Sequence, residues 1–442
     1  MDSSPRFRGE GDHAEHGGGV LQQSLKEDPS TARRAAPLPS KCWGGIFLFL
    51  AACATTPLSA PPPPARVAVA FDLSGERGDW AVGLADPSTG RAVTPDDPAR
   101  IASVSKLVVA IGVMKLVEQG KLELDRDVTA YLGWNVRNPT FPGHVITLRM
   151  LLSHTSSLRD GDDAYVIPLG GSLEQALADP AVWDSAHPPG EGYFAYANFN
   201  FPVVASAMEV VTGERFDIWM RREVLEPMRI DACFNWPTCS DAAVARAVVL
   251  VQDGKAVRDD LGGKRPSCPV FAKDGEDCDL SIWRPGENGA LFSPQGGLRI
   301  SARGLARIGR MLLNGGTLDS VRILSPQSVE AMLGPAWSYD GRNGSRSGES
   351  ETICRYGLAI HHLATRLPGC ADDPEGSGRQ WLGHSGDAYG LRSGIWIDRR
   401  RGVGIAYFVT GLPDNPPRGR SAFTAAEEEA FRRAVRLSKS RD

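Results

Sequence analysis

The sequence predicts an α+β fold with an antiparallel sheet built from both ends of the chain. Short apolar runs rich in β-branched residues lie near the two ends, whereas the middle of the chain has a mostly helical pattern. Tight turns rather than crossover helices separate the runs, and strands joined by tight turns are antiparallel. We therefore expect residues 67–124 and 284–442 to form an α/β sheet domain and residues 125–283 to form a mostly helical domain.

The first part of the sheet domain is expected to hold two strands and a buried helix. Residues 67–71 and 80–84 are the strand-like runs, and a glycine-containing turn lies between them. A long apolar run at residues 107–117 predicts a helix that begins near Ser103 and ends at Gly120, because glycine often follows the last residue of a helix.

The central and C-terminal elements follow from caps, turns and apolar spacing. Thr147 is expected to cap a short helix, residues 200–211 to form a longer one, and residues 248–258 to form a hairpin. The last third is expected to contain a helix, two strands and a closing helix with a polar face, at residues 301–313, 394–397, 403–409 and 422–437.

The composition indicates a globular protein that does not bind nucleic acid. A chain of 442 residues with 42% hydrophobic content can bury a sizeable core. The net charge is −4, and the sequence has no Lys/Arg-rich block of the kind that contacts phosphate backbones. It also has no glycine-rich phosphate loop. We expect no cofactor and a monomer whose partner is a small-molecule or peptide substrate.

Residues 1–53 are expected to form an atypical extension followed by a lipoprotein-type export signal. Residues 1–41 are polar, but residues 46–50 are apolar and lead into Ala51-Ala52-Cys53, which resembles a bacterial lipobox with Cys53 as the lipidated residue. The polar part is too long for an ordinary signal, so we expect translation to start downstream of Met1.

Other interpretations of the apolar stretch are a membrane-spanning helix, a cleaved secretory signal and a cytosolic protein. A spanning helix needs about 20 apolar residues, and Pro57 arrives too early for that. Residues 54–66 are rich in proline, which predicts a semi-rigid linker. We expect an exported protein held in the periplasm or cell envelope by a lipid anchor.

The cysteines agree with export. Once Cys42 and Cys53 are set aside, six of the eight cysteines remain, and none of them has the C-x-x-C spacing typical of zinc sites, so no metal site is expected. An even number in an oxidising compartment favours three disulfides, with buried reduced thiols as the alternative. The connectivity is not determined by sequence. We expect sequential pairing, each bridge closing a short loop, of Cys233, Cys239, Cys268, Cys278, Cys354 and Cys370.

The segment from Ser103 to Lys106 has S-x-x-K spacing, which places a hydroxyl and an amine one turn apart on the same helix face. A serine hydroxyl becomes a nucleophile when a base lies beside it. Lys106 can be that base if burial lowers its pKa. The alternative, a solvated charge on the helix surface, conflicts with its apolar surroundings. Ser105 cannot replace Ser103, because its own i+3 residue is Val108.

Two more motifs follow in the order that such a site needs: Tyr196-Ala197-Asn198 and His384-Ser385-Gly386-Asp387. Tyr196 could instead be an aromatic plug between domains. The glycine at position 386 would let a substrate approach the backbone closely. An α/β-hydrolase elbow is excluded, because it needs glycine at position 387 and a histidine after His384.

With these three motifs, residues 67–413 resemble the serine β-lactamase and penicillin-binding protein superfamily. Within it the likeness is to class C β-lactamases, DD-peptidases, D-aminopeptidases and related esterases. The resemblance implies an antiparallel sheet flanked by helices, an inserted all-helical domain and a site in the cleft between them. It also covers three further segments: Arg100-Ile101-Ala102, Leu151-Leu152-Ser153-His154-Thr155-Ser156 and Ser293-Pro294-Gln295-Gly296-Gly297-Leu298.

The resemblance also implies roles. Ser103 would be the nucleophile and Tyr196 would relay a proton to the leaving group. Asn198 would bind Lys106 and the amide of the substrate, and the N–H groups of Ser103 and Asp387 would form an oxyanion hole. Whether Lys106 or Tyr196 takes the first proton stays open.

His384 stands where dedicated β-lactamases carry the lysine of K-T-G, and histidine has a reference pKa of about 6.5. Relatives with H-x-G are often peptidases, amidases or esterases. We therefore expect a Ser103 acyl-enzyme that acts on D-amino-acid peptides, amides or small esters, with a substrate preference that changes with pH as His384 is protonated. A true class C-like β-lactamase and an inactive wall-associated binding lipoprotein are the alternatives. His154, His361 and His362 are expected to be structural or surface residues.

Overall fold

The computed structural model describes residues 64–273, 277–345 and 348–439. The predicted export signal, Cys53 and the linker up to residue 63 lie outside the described residues. Helices and antiparallel strands are combined as the sequence predicts, so the α+β class is confirmed.

The strands β1 to β17 are, in chain order, Arg66–Asp72, Glu76–Val82, Leu84–Asp86, Arg91–Ala92, Ala99–Arg100, Cys233–Phe234, Leu250–Gln252, Lys255–Arg258, Leu298–Ile300, Thr317–Leu318, Val321–Arg322, Trp337–Ser338, Arg355–Tyr356, His361–Leu363, Trp381–Ala388, Leu391–Asp398 and Val403–Val409. The helices α1 to α10 are Val104–Glu118, Thr129–Leu132, Leu148–Leu152, Leu173–Leu177, Asn200–Thr212, Phe216–Met220, Asp241–Ala245, Ala302–Leu313, Pro326–Leu333 and Ala425–Ser438. Single turns of 3₁₀-helix lie at Pro180–Val182, Leu280–Ile282 and Gly348–Thr352, and a π-helical turn at Arg221–Leu225 extends α6.

The main sheet has eight antiparallel strands in the order β12-β13-β14-β15-β16-β17-β1-β2. Strand β1, near the start of the described chain, lies between β2 and β17. Ala68 is opposite Trp80 on one side and opposite Tyr407 on the other. The two ends of the chain therefore share one antiparallel sheet, as expected from the tight turns between the strand-like runs.

Both faces of β1 are buried, which explains its uninterrupted apolar sequence. Val67, Val69 and Phe71 belong to the core on the face covered by α1 and α8, whereas Ala68 and Ala70 pack on the face covered by α10. The sheet is thus the middle of three layers. Helix α10 begins with the reciprocal hydrogen bonds of a capping box.

Helix α1 is apolar on all sides because it is buried on all sides. Its residues from Val104 to Met114 are all buried, Lys106 among them, and the helix packs against β15 and β16. Gly120 follows the helix end with φ of +68°, as predicted from its residue type. Ser103 lies directly before the first helical residue.

The segment at residues 125–283 contains more loop than its pattern predicts. Among the described residues of this segment, only α5 and the helix made of α6 with its π-helical turn are longer than five residues. The segment also contributes β6 to a small sheet with β5 and β9. Many of its apolar residues lie in loops held by tertiary hydrogen bonds, such as Leu169 N–H to Phe271 O at 2.8 Å. The predicted cap at Thr147 is confirmed, as is the hairpin, now β7–β8.

The cysteines form three disulfides, and the expected sequential pairing is confirmed: Cys233–Cys239, Cys268–Cys278 and Cys354–Cys370. Bridges of this kind are typical of exported proteins. Among the residues described, no helix has the length and apolar character needed to cross a membrane. The same residues contain no group of three His, Cys, Asp or Glu side chains arranged to hold a metal ion.

Candidate active site

Four segments meet around Ser103: the start of α1, the loop before α5, the loop before β9, and β15. Lys106 joins three of them through Nζ, which lies 2.9 Å from Ser103 Oγ, 2.6 Å from Asn198 Oδ1 and 2.9 Å from the backbone oxygen of Gln295. Ser103 and Lys106 are both fully buried. A solvated surface charge at position 106 is therefore excluded, and the S-x-x-K pair forms a closed hydrogen-bonded unit.

Asp160 orients Asn198, and sequence reasoning missed it. Asn198 Nδ2 donates to one carboxylate oxygen of Asp160 at 3.2 Å, and the Phe199 N–H donates to the other at 3.0 Å. The amide of Asn198 is thereby turned so that its oxygen accepts from Lys106. Asp160 is one of three aspartates in a short loop, with Asp162 and Asp163, so no spacing or motif in the sequence singles it out.

Tyr196 is partly exposed and stacks on the buried His154, with ring centroids 4.3 Å apart and planes inclined by 27°. Its ring centroid lies 4.9 Å from Lys106 Nζ. His154 Nδ1 accepts hydrogen bonds from the Ala197 N–H at 3.1 Å and from Asn200 Nδ2 at 2.9 Å. His154, expected to be structural, thus supports the loop that carries Tyr196.

Ser105 fixes the turn that presents the nucleophile. Its hydroxyl donates to the oxygen of Ala102 at 2.7 Å and accepts from the N–H of Leu298 at 3.1 Å. Ala102 has φ of +49°, a conformation that costs residues with a Cβ about 1–3 kcal/mol. The two hydrogen bonds of Ser105 hold this strained turn against the first residue of β9.

Gly386 is needed for a reason other than the one expected from the sequence. A Cβ atom there would lie 2.3 Å from the oxygen of Ile101, 2.5 Å from Ser393 Oγ and 3.2 Å from the nitrogen of Ser103. The close approach is therefore to the protein's own backbone, and a substrate is not required to explain it. Glycine allows β15 to pass directly beside the turn that holds the nucleophile.

The neighbours of Gly386 on β15 are less buried. Ser385 and Asp387 are both half-buried. The carboxylate of Asp387 pairs with Arg392 on the adjacent strand. Its side chain is thus engaged within the sheet, which leaves the backbone of β15 facing the Ser103 turn.

His384 is fully buried, and both of its ring nitrogens are engaged. Nδ1 donates to the oxygen of Ser385 at 2.5 Å, and Nε2 accepts from the hydroxyl of Tyr356 at 2.8 Å. Burial and the positive charge of Lys106 lower the pKa of His384 to about 3. The expected change of substrate preference as His384 becomes protonated is therefore wrong, because the imidazole stays neutral well below pH 5.5.

A second buried histidine lies against His384. The ring centroid of His361 is 4.3 Å from that of His384 and 5.0 Å from that of Tyr356. Neither ring nitrogen of His361 has a hydrogen-bond partner among the described residues. Its pKa lies well below the ordinary value, mainly because of burial. Sequence reasoning gave neither His361 nor Tyr356 a place beside the site, since only the sheet brings them there.

Comparison with known proteins identifies the family of the chain. A profile of the family described as Beta-lactamase matches residues 67–430. Penicillin-binding protein 4 of Amycolatopsis lactamdurans is 28% identical over 267 residues, which are 60% of this chain and 64% of that protein. The match therefore spans just under two thirds of the penicillin-binding protein. Esterase EstB of Burkholderia gladioli is 25% identical over 348 residues, 74% of this chain and 80% of the esterase.

The fold is also that of a solved enzyme. The D-amino acid amidase from Ochrobactrum anthropi SV3, crystallised with D-phenylalanine, superposes with a TM-score of 0.59 at 18% identity, over 86% of this chain and 95% of the amidase. Since the family profile covers most of the sequence, the chain belongs to the beta-lactamase family.

Proposed function

We propose that the protein hydrolyses small esters and D-amino-acid amides or peptides through an acyl-enzyme on Ser103, and that β-lactams are poor substrates. The observation that carries the proposal is the 2.9 Å contact between Lys106 Nζ and Ser103 Oγ, two side chains that are both fully buried. A nucleophile and a base within hydrogen-bond reach are what acyl transfer requires. The names of EstB and the D-amino acid amidase are consistent with this substrate range.

In the structure Lys106 Nζ donates to three oxygens, on Ser103, Asn198 and Gln295. The neutral amine that the mechanism requires has two N–H donors and one lone pair. The oxygens of Asn198 and Gln295 can only accept hydrogen bonds, so they take the two N–H groups. The third neighbour, Ser103, has a hydroxyl that can donate to the lone pair. In this arrangement Lys106 is ready to receive the proton of the nucleophile. Tyr196 remains the alternative acceptor.

The reaction then proceeds in two steps. Ser103 Oγ bonds to the carbonyl carbon, its proton passes to the base, and the N–H groups of Ser103 and Asp387 donate to the developing oxyanion. The leaving group departs with a proton relayed by Tyr196. Water next attacks the acyl-enzyme and releases the acid and Ser103. Tyr196, Ser385 and Asp387 are partly exposed, so the substrate approaches from their side.

The neutral state of His384 supports the choice of substrate. A lysine at this position would offer a permanent cation to the carboxylate of a penicillin or cephalosporin. His384 instead has a pKa of about 3, and its two nitrogens are engaged by Ser385 and Tyr356. Esters and amides without a free carboxylate do not need the missing charge.

A substrate panel tests the proposal. We expect kcat/KM for p-nitrophenyl butyrate or a D-alanyl amide to exceed that for nitrocefin by at least about a hundredfold, or roughly 2.7 kcal/mol of transition-state stabilisation. Because His384 stays neutral above about pH 3, the ratio should be constant from pH 5.5 to 8.5.

The control for this panel is His384→Lys, which should raise nitrocefin acylation relative to ester hydrolysis. Dominant nitrocefin turnover by the unmodified protein would favour a class C-like β-lactamase. No turnover of any substrate would favour an inactive binding protein. A ratio that falls toward low pH would contradict a neutral His384.

We also propose that the protein is a lipoprotein anchored through Cys53, with residues 54–63 as the spacer. The expected end of the linker at residue 66 is wrong, because Pro64 pairs with Leu84, Ala65 is fully buried and Arg66 begins β1. The three disulfides support export, since they form in oxidising compartments. Cys53→Ser is expected to move the protein from the membrane fraction to the soluble fraction, whereas Cys42→Ser should leave it with membranes. If the Cys53→Ser protein still fractionates with membranes, the proposal that Cys53 carries the lipid anchor is wrong.

A further inference from the structure

A cavity of about 500 Å³ opens at one end of the main sheet, away from the catalytic residues. Its walls come from β14, β15, the turn between β16 and β17, and the loop before β15. None of the residues proposed for catalysis lines it; Leu382, which does, precedes His384 by two residues. Six arginines line this cavity: Arg355, Arg366, Arg379, Arg399, Arg400 and Arg401.

Three of these arginines are balanced by carboxylates of the protein. Arg399 pairs with Glu330 through both of its terminal nitrogens. Arg401 and Arg379 lie 3.1 Å and 3.7 Å from the buried carboxylate of Asp398. Their charges are neutralised by these carboxylates, so these three arginines contribute little positive charge for binding a ligand.

The other three have no acidic partner among the residues that the structure describes. Arg355 Nε donates to Ser338 Oγ at 3.0 Å, and Arg366 donates to the oxygen of Gly378 at 3.2 Å. The guanidinium of Arg400 makes no ion pair or hydrogen bond within the described ranges. Three uncompensated positive charges thus share one concave surface, in a chain whose net charge is −4.

His362 lies in the wall of the cavity and is exposed to the positive charge of Arg355. Burial and the positive charge of Arg355 lower its pKa to about 4. A cation beside the imidazole disfavours its charged form.

The number and type of these groups define the ligand. A guanidinium presents a planar fork of N–H donors that matches the oxygens of phosphate. One carboxylate offers a single charge and two oxygens, whereas a phosphate monoester offers close to two charges and three oxygens. The volume falls in the range of small-molecule sites. We propose that this arginine-lined cavity binds a small phosphate-bearing ligand.

Isothermal titration calorimetry at constant ionic strength and pH 7.5 tests the proposal. Inorganic phosphate and glycerol 3-phosphate are titrated into the full-length protein, with citrate as the carboxylate probe. We expect both phosphates to bind. The double variant Arg366→Gln/Arg400→Gln should lower their affinity at least about tenfold, because it removes charge-assisted hydrogen-bond donors. Both side chains are exposed, so the variant should fold normally.

The matched control is Arg284→Gln, an exposed arginine outside the cavity, which should leave the affinity unchanged. Equal phosphate affinity in the double variant and the unmodified protein would overturn the proposal, as would binding of citrate alone. Lys106→Met should bind phosphate like the unmodified protein. This readout separates the cavity from the proposed hydrolytic activity.

Discussion

Replacing Lys106 by methionine is expected to slow acylation of Ser103 by about a thousandfold or more, the range of effects seen when a general base is removed. Methionine fills much of the same volume in a fully buried position but cannot accept the proton of Ser103. It also removes the hydrogen bonds to Asn198 and Gln295. The rate is measured with a fluorophosphonate probe, and mass spectrometry locates the adduct.

The same substitution at Lys115 is the control. Lys115 lies in the last turn of the same helix and donates to the oxygen of Glu223 at 2.6 Å, far from the motif in sequence. Lys115→Met should label at the normal rate, and Ser103→Ala should give no adduct. If Lys106→Met labels at the normal rate, Tyr196 takes the first proton instead.

The free energy of unfolding is expected to fall steeply as the pH drops below 6.5. His154, His361 and His384 are fully buried, and burial holds their pKa values well below the ordinary value, to about 3 for His384. In the unfolded chain each histidine takes up a proton near pH 6.5, but in the native state it cannot. Stability present above pH 6.5 is therefore lost as the pH falls toward the native pKa, at about 1.4 kcal/mol per pH unit for each histidine.

Urea unfolding between pH 7.5 and 4.5 measures this loss of stability. The variant His361→Phe isolates the part of the loss that comes from protonation of His361 in the unfolded chain. The nitrogens of His361 make no hydrogen bonds with the described residues, so phenylalanine keeps the ring contacts without removing a bond. The buried Glu209, whose pKa burial raises to about 8, works in the opposite direction. The difference between the two proteins cancels this contribution.

The variant should lose about 1.4 kcal/mol less per pH unit than the unmodified protein below pH 6. Identical slopes would mean that His361 is protonated in the native state, in conflict with its burial.

The parts of the site that the sequence predicts are those fixed by local geometry. S-x-x-K spacing on a helix places Ser103 and Lys106 on one face whatever the rest of the fold does, and the structure brings the two together. The position of Asn198 is also predicted, because its motif lies just before α5, a helix that the spacing of apolar residues predicts. The antiparallel sheet that both ends of the chain share is predicted by the tight turns between the strand-like runs.

The parts that could not be predicted depend on contacts between distant segments. Asp160 reaches Asn198 across 38 residues, and Tyr356 reaches His384 across 28. The protonation of His384 depends on its burial, which no motif encodes, so the expected pH response was wrong. The helical share of residues 125–283 was overestimated because apolar side chains in loops look the same in sequence as those in helices.

The place of β1 in the sheet has a consequence for biogenesis. Residues 66–72, the first strand of the described chain, pair with residues 403–409, the last strand. The pairing can form only after nearly all of the described chain has been synthesised. Contacts of such long sequence separation make folding slow. Until residues 403–409 have been made, β1 has only β2 beside it, and the eight-stranded sheet lacks the link between its two parts. The topology itself thus delays completion of the sheet until nearly all of the chain has been synthesised.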